Sequence, residues 1–385
     1  MSGNDRMLNA RSYLRWRKKA YLISFQRFNS RKYYCIAVPT ILTVVYMFSF
    51  SKKTLLDMKT SDASIALNTS RNSTLFVPDN VDFDTNPMCE AVSIEREQEC
   101  HEIPTEPSPR TIYSCWNQKQ FIDWFTMHNR YVSDAKLFDS EKRNYERPVL
   151  MLIGDSITES FLGTSYGVET ERTKSSYGEE AFRYFQTLLG NKYETIVNAI
   201  SGDQVQHVLW RLQNGELPQS ASSNNQAIFV ILIGTNNLGN GHLPNPTAQG
   251  ILELTKELLI QTKGKIVLLQ VLPRGDGSKI LPKLCPPRCT EDEKPFQSFF
   301  PAVRKVNDKL QNAMSTGDET IKMAYISKRL ALIDCGEAFL VSGDSGMPDV
   351  NATLMPDLLH PYELGLKIMA DCIAKEVEAQ RLAGG

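Results

Sequence analysis

The sequence predicts a three-layer α/β/α domain around a parallel sheet of about five strands, with one transmembrane helix ahead of it. Three observations carry that expectation. Short, nearly continuous apolar runs recur from Val149 onward, and most stop at small polar residues. Between them lie longer stretches with helical periodicity. Residues 33–50 contain no charge and are framed by Arg31, Lys32, Lys52 and Lys53. A strand that is apolar on both faces must be covered on both faces. Strands alternating with helices therefore give a parallel sheet with helices on each side.

The chain has 385 residues, 42% of them apolar, and a net charge of −1. That balance supplies no field for a polyanion and argues against nucleic acid as a partner. The average hides an asymmetry, because residues 1–32 carry nine Lys/Arg against one acid, Asp5. They read as a basic cytoplasmic tail. Residues 33–50, as a helix, span about 27 Å, enough for a thin bilayer. Pro39 is tolerable in such a helix, and the basic stretch ahead is too long for a cleaved signal peptide. Seven Lys/Arg in residues 15–32 outweigh three in residues 51–70, so the N-terminus is expected to stay cytoplasmic. The result is a type II signal anchor with the catalytic domain in the secretory lumen, the short anchor favouring the Golgi.

Residues 51–110, rich in Ser, Thr, Asn, Asp and Pro, read as a stem or linker. Glycosylation sequons at Asn68, Asn72 and Asn351 agree weakly with a lumenal location. Seven cysteines follow the anchor, and an oxidising lumen should pair some of them. Cys285 with Cys289, and the group Cys89, Cys100 and Cys115, are the expected clips. A metal is the rival reading of those cysteines and is discounted.

The domain proper is expected over 111–385. A helix begins near Trp116, with Phe121, Trp124 and Phe125 on one face. Val149–Ile153 is the first strand, ending at Gly154-Asp155-Ser156. A helix over 178–189 stops at Gly190-Asn191, and Thr195–Ile200 is the second strand, ending at Ser201-Gly202. A helix over 204–213 stops at Asn214-Gly215. Ala227–Ile233 is the third strand, ending at Gly234-Thr235-Asn236. A helix over 247–262 precedes a fourth strand, Lys265–Leu272. Residues 276–300 look inserted and lie at the same edge as the three turns, where they act either as a lid or as a clipped surface loop. A helix over 301–314, a weaker fifth strand at Leu330–Asp334 and a helix from about Pro361 to Arg381 complete the domain.

In an open parallel sheet, chemistry gathers beyond the carboxyl ends of the strands. Ser156, Gly202 and Asn236 all stand there. Taken alone, Gly154-Asp155-Ser156 reads equally as a helix-capping turn. Asp357 and His360, three residues apart near the C-terminus, change the balance. Acyl transfer from a serine needs a base, an orienting carboxylate and donors for the developing oxyanion. Asp357 orienting His360, with Ser156 on the far nitrogen, supplies the first two. His101, His128, His207 and His242 read as solvated or packed.

At these residues the chain resembles the SGNH (GDSL-type) hydrolases. Four blocks stand in order: Gly154-Asp155-Ser156, Gly202, Gly234-Thr235-Asn236 and Asp357-x-x-His360. The resemblance implies the α/β/α SGNH (flavodoxin-like) sandwich. It implies Ser156 as nucleophile, His360 as general base and Asp357 as its partner. The oxyanion hole would be the Ser156 and Gly202 N–H groups with the Asn236 side chain, and no cofactor is called for. The Gly-x-Ser-x-Gly elbow of α/β-hydrolases is absent, since position 158 is Thr. Within the family, the stretches beginning Trp124-x-x-x-His128, His207-Val-Leu-Trp-Arg211, Gly234-Thr-Asn-Asn237 and Leu272-Pro-Arg-Gly275 look like the catalytic (alpha) subunits of intracellular platelet-activating-factor acetylhydrolase. Those soluble enzymes have no counterpart to the anchor and stem.

The expected function is a membrane-anchored serine esterase acting on short acyl esters, acetyl esters foremost, of a lipid or glycan. Assembly as a homodimer is left open. Two alternatives share the motifs: an O-acyltransferase in which a glycan hydroxyl replaces water, and an inactive, membrane-tethered glycan-binding protein.

Overall fold

In a computed structural model of the chain, the residues described are 102–110, 118–140, 147–190, 192–275, 294, 298–343 and 348–382. The expected anchor at 33–50, the sequons at Asn68 and Asn72, the group Cys89, Cys100 and Cys115, the clip of Cys285 with Cys289, and nearly all of the 276–300 insertion lie outside them. Among the described residues no helix is long and apolar enough to cross a membrane.

Helix α1 (Gln118–Ser140) precedes β1 (Val149–Gly154), whose six residues are all buried. Two short helices, α2 (Ser156–Glu159) and α3 (Glu171–Ser176), come before α4 (Gly178–Leu188). Then follow β2 (Glu194–Ala199), α5 (Val205–Arg211), α6 (Gln219–Ser222) and β3 (Ile228–Leu232). The short α7 (Thr235–Gly239), α8 (Pro244–Gln261) and β4 (Lys265–Leu269) come next. The chain continues with α9 (Phe300–Thr316), α10 (Glu319–Ile326) and β5 (Leu330–Ile333). A small antiparallel pair, β6 (Leu340–Ser342) and β7 (Pro348–Val350), precedes α11 (Glu363–Leu382).

The main sheet has the order β2-β1-β3-β4-β5 and every pairing in it is parallel. Gly154 is level with Ala199 on one side and with Leu232 on the other. The turns that follow β1, β2 and β3 are thereby brought to one edge. The strand order reverses between β1 and β3, where an open α/β sheet forms its crevice. Side chains alternate across the sheet. Met151, Ile153, Phe229, Ile231 and Leu268 join one buried core with residues of α5, α8, α9 and α10. The opposite face carries Leu150, Leu152 and Val267, all buried, on the side of the paired helices α4 and α11.

The five strands stand within a few residues of their expected places. The short α2, α3, α6 and α7, and the β6/β7 pair, are absent from the sequence reading, because three to six residues are too few to display a periodicity. Helix α10 was also unforeseen, and its start is set by Asp318, whose side chain accepts from Thr320 N–H at 2.8 Å. Residues 102–110, which composition assigns to the end of the stem, are held on the domain. Glu102 and Arg110 are buried, and Ser108 N–H donates to Gln206 O at 3.2 Å. A disulfide joins Cys335, just after β5, to Cys372 on α11, with Cα atoms 5.8 Å apart. Neither residue was among the expected pairs, since bridging depends on spatial approach and not on closeness in sequence.

Candidate active site

Ser156 follows β1 directly and opens α2, with Asp155 as the cap: Asp155 Oδ1 accepts from Ile157 N–H at 2.9 Å. Asp357 and His360 reach it from the turn before α11, 204 residues away in sequence. His360 Nε2 is 2.9 Å from Ser156 Oγ, and His360 Nδ1 is 2.7 Å from Asp357 Oδ2. Asp357 Oδ1 also accepts the backbone N–H groups of His360 at 2.7 Å and Leu359 at 3.1 Å. One carboxylate thus builds the turn and aims the ring. Leu358, between them, has φ +60°, a left-handed conformation costly for a branched residue. Gly275 N–H holds its carbonyl at 2.8 Å, and a Cβ at Gly275 would lie 2.9 Å from Leu358 Cβ.

The charges follow from these contacts. Burial acts to raise Asp357, but the hydrogen bond and charge of His360, with the two backbone N–H groups, outweigh it and hold the carboxyl at about 2. Burial draws His360 below its usual 6.5, against the opposing pull of Asp357. An ionised Asp357 requires the proton on Nδ1, which leaves Nε2 as acceptor for the serine hydroxyl. Asp155 differs from Asp357. Fully buried, it is raised to about 7 by desolvation, with Asp203 adding to the rise and Ile157 N–H and Arg274 opposing it.

Asn236 stands across the crevice at the start of α7. Its Nδ2 donates to Asp203 O at 2.9 Å and, at a longer 3.3 Å, to Asp155 Oδ2. Gly202 has φ +77°, and a Cβ there would meet Arg110 Nη2 at 2.5 Å and Tyr166 OH at 3.0 Å, so both conformation and space require glycine. Among the described residues, neither the Ser156 nor the Gly202 N–H donates to a protein acceptor.

Beneath this edge lies a buried polar scaffold. Asp203 accepts from Trp124 Nε1 at 2.6 Å and pairs with Arg211 at 2.9 Å. Arg211 also bonds Glu216 at 2.5 Å, and Glu216 meets His128 Nδ1 at 2.7 Å. His207 Nδ1 accepts from Gln204 N–H at 3.0 Å, so its Nε2–H donates to Glu102 at 2.7 Å. Glu159, fully buried, accepts from Ser201 N–H at 2.7 Å and Gly167 N–H at 2.8 Å. Arg110 donates to Gly202 O.

Ser156, His360 and Asp357 are therefore brought into one hydrogen-bonded line, with Gly202 and Asn236 at the same edge. Asn351 is half-buried beyond β7, its side chain accepting from Thr353 N–H at 3.0 Å. Asp155, Glu159, Asp203 and Arg110 escaped the sequence reading. The acid inside Gly154-Asp155-Ser156 was visible, but nothing local announced that it would be buried. No group of acidic, His or Cys side chains suited to a metal occurs among the described residues.

Residues 152–366 match the GDSL-like Lipase/Acylhydrolase family. Over 154 residues, 40% of this chain and 53% of the relative, the sequence is 31% identical to platelet-activating factor acetylhydrolase IB subunit alpha2 of Gallus gallus. It is 31% identical over 155 residues to the alpha1 subunit of Homo sapiens, covering 40% of this chain and 52% of that one. The chain spans about half the length of these relatives. A solved GDSL-like lipase from Bacteroides thetaiotaomicron is similar at 19% identity and a TM-score of 0.40, covering 66% of this chain and 97% of its own.

Proposed function

Since the chain belongs to the GDSL-like lipase/acylhydrolase family, we propose that it is a serine esterase cleaving short-chain acyl esters, acetyl esters foremost. The observation that carries this reading is the line Ser156 Oγ–His360 Nε2 at 2.9 Å and His360 Nδ1–Asp357 Oδ2 at 2.7 Å. Ser156 Oγ attacks the ester carbonyl carbon as His360 Nε2 takes its proton, and ionised Asp357 stabilises the imidazolium. The oxyanion is received by the Ser156 and Gly202 N–H groups and by Asn236 Nδ2, which exchanges its longer contact with Asp155 for the substrate. His360 then protonates the departing alcohol, leaving an acyl-serine. Water, deprotonated by His360, attacks that ester and releases the acid.

The acetyl preference draws its support from the names of the similar chains, both acetylhydrolase subunits. In this reading the domain works in the secretory lumen, tethered by residues 33–50. The charge-free run supports that, as does the Cys335–Cys372 disulfide, a bond that persists in oxidising compartments.

The test is hydrolysis of 4-nitrophenyl acetate by the full-length protein. Ser156→Ala should abolish turnover with an unchanged circular dichroism spectrum, and Asn236→Ala should lower kcat by about 100- to 1000-fold. Undiminished turnover by Ser156→Ala would overturn the assignment.

A further inference from the structure

One cation beside this triad forms no direct ion pair among the described residues. Arg172, on α3, is half-buried, and Ser160 Oγ, 3.1 Å from Nη1, is the one hydrogen-bond acceptor it reaches among the described residues. Ser160 Oγ in turn donates to the Ser156 carbonyl at 2.7 Å. Two hydrogen bonds thus separate the guanidinium from the residue that carries the nucleophile. The charges of Asp357 and Glu159 favour its ionised form from a distance and its own charge reaches His360 and Tyr362, yet no described carboxylate is close enough to form an ion pair with it. The buried Arg211, by contrast, pairs directly with Glu216 and Asp203.

A guanidinium presents five donors in a planar fork that fits a carboxylate or phosphate. Burying it without a direct ion-pair partner is costly, and desolvation outweighs the more distant charges of Asp357 and Glu159 and draws its ionisation below the usual arginine range. A ligand anion offsets that cost. The location says which part of the ligand bears it. The oxyanion donors Gly202 and Asn236 follow β2 and β3, whereas Arg172 belongs to the β1–β2 connection and neighbours His360 and Asp357. In ester cleavage the histidine hands its proton to the departing alcohol, so the alcohol portion lies at His360.

We propose that Arg172 recognises an anionic group, carboxylate or phosphate, on the alcohol portion of the substrate, so that the preferred substrates are acyl esters of acidic alcohols. This rests on the esterase reading above.

The experiment compares kcat/KM within two ester pairs, each value normalised to the ester's hydroxide-catalysed rate. One pair is 4-acetoxybenzoate and its methyl ester; the other is 4-acetoxyphenyl phosphate and its dimethyl ester. The full-length native protein should prefer the anionic member of at least one pair by about tenfold or more, the worth of one charge-assisted contact. The pair showing it identifies carboxylate or phosphate. Arg172→Gln should lose the preference and Arg172→Lys should keep part of it. Arg183→Gln, which removes an exposed partner of Glu180 on α4, should keep it all. Equal rates within both pairs for the native protein overturn the proposal without any variant. So does a preference that survives Arg172→Gln, or an equal loss on both members, which would mean that Arg172 acts through His360. A protein inert to all four esters, with Ser156 unlabelled by a fluorophosphonate, overturns the esterase reading itself and this inference with it. An active enzyme indifferent to charge overturns this inference alone.

Discussion

Replacing both Cys335 and Cys372 by alanine opens a closed loop that contains His360 and Asp357. The bridge links positions 37 residues apart, and Asp357 and His360 lie between them. In the loop-entropy treatment, a closure of that length removes about 3.8 kcal/mol worth of disorder from the unfolded chain at 25 °C. The double variant should therefore unfold in urea with a stability lower by up to about 4 kcal/mol. Activity should suffer much less. The folded loop has other fastenings: Asn351 N–H to Phe339 O at 2.9 Å, Tyr362 N–H to Leu354 O at 3.0 Å, and Gly275 N–H to Leu358 O at 2.8 Å. Hydrolysis of an aryl acetate at 25 °C, well below the unfolding transition, should fall less than about tenfold, the equivalent of 1.4 kcal/mol. Dithiothreitol should shift the midpoint of the native protein more than that of the variant. A stability loss under about 1 kcal/mol would refute the reasoning, because it would mean that the unfolded chain gains little freedom when the loop opens.

Two further outcomes follow from the site and the sequence. The proposed mechanism needs His360 neutral, and burial holds it below its usual 6.5, so kcat/KM should rise with pH along an acid limb centred below 6.5. Asp357, at about 2, stays ionised throughout that range; a limb centred at or above 6.5 would contradict the account. If residues 33–50 are an anchor, alkaline carbonate should leave the full-length protein in the membrane pellet, and deleting 33–50 should release the protein to the supernatant. Equal extraction of both forms would count against the anchor.

The strands were legible because burial on both faces leaves a mark that needs no context. Val149–Ile153 and Ile228–Leu232 are apolar at every position, whichever way each side chain points. Their ends were legible too, since Gly154, Gly202 and Gly234 announce turns. Ser156, Gly202 and Asn236 could therefore be assigned to one sheet edge before any coordinate was known, and Asp357 and His360 to one turn by their spacing. The small helices and the β6/β7 pair were not legible, having too few residues for a period. Trp124, His128, Arg211 and Glu216 could be noticed as a pattern but not explained by it.

By itself, then, the sequence determined the alternation of buried strands and covering helices, the polar turns at the strand ends, and the local Asp357–His360 unit. These depend on periodicity and on chain neighbours, which are properties of a line of residues. The tertiary structure alone decided that His360 meets Ser156 across 204 residues. It also decided that Cys335 finds Cys372, that Arg110 and Asp203 come to the strand-end edge beside Gly202 and Asn236, and that Arg172 lies near His360 with no direct ion pair among the described residues. Those are matters of desolvation and of distance through space. A charged side chain carries no sign of which other charges will share its pocket once water has been excluded.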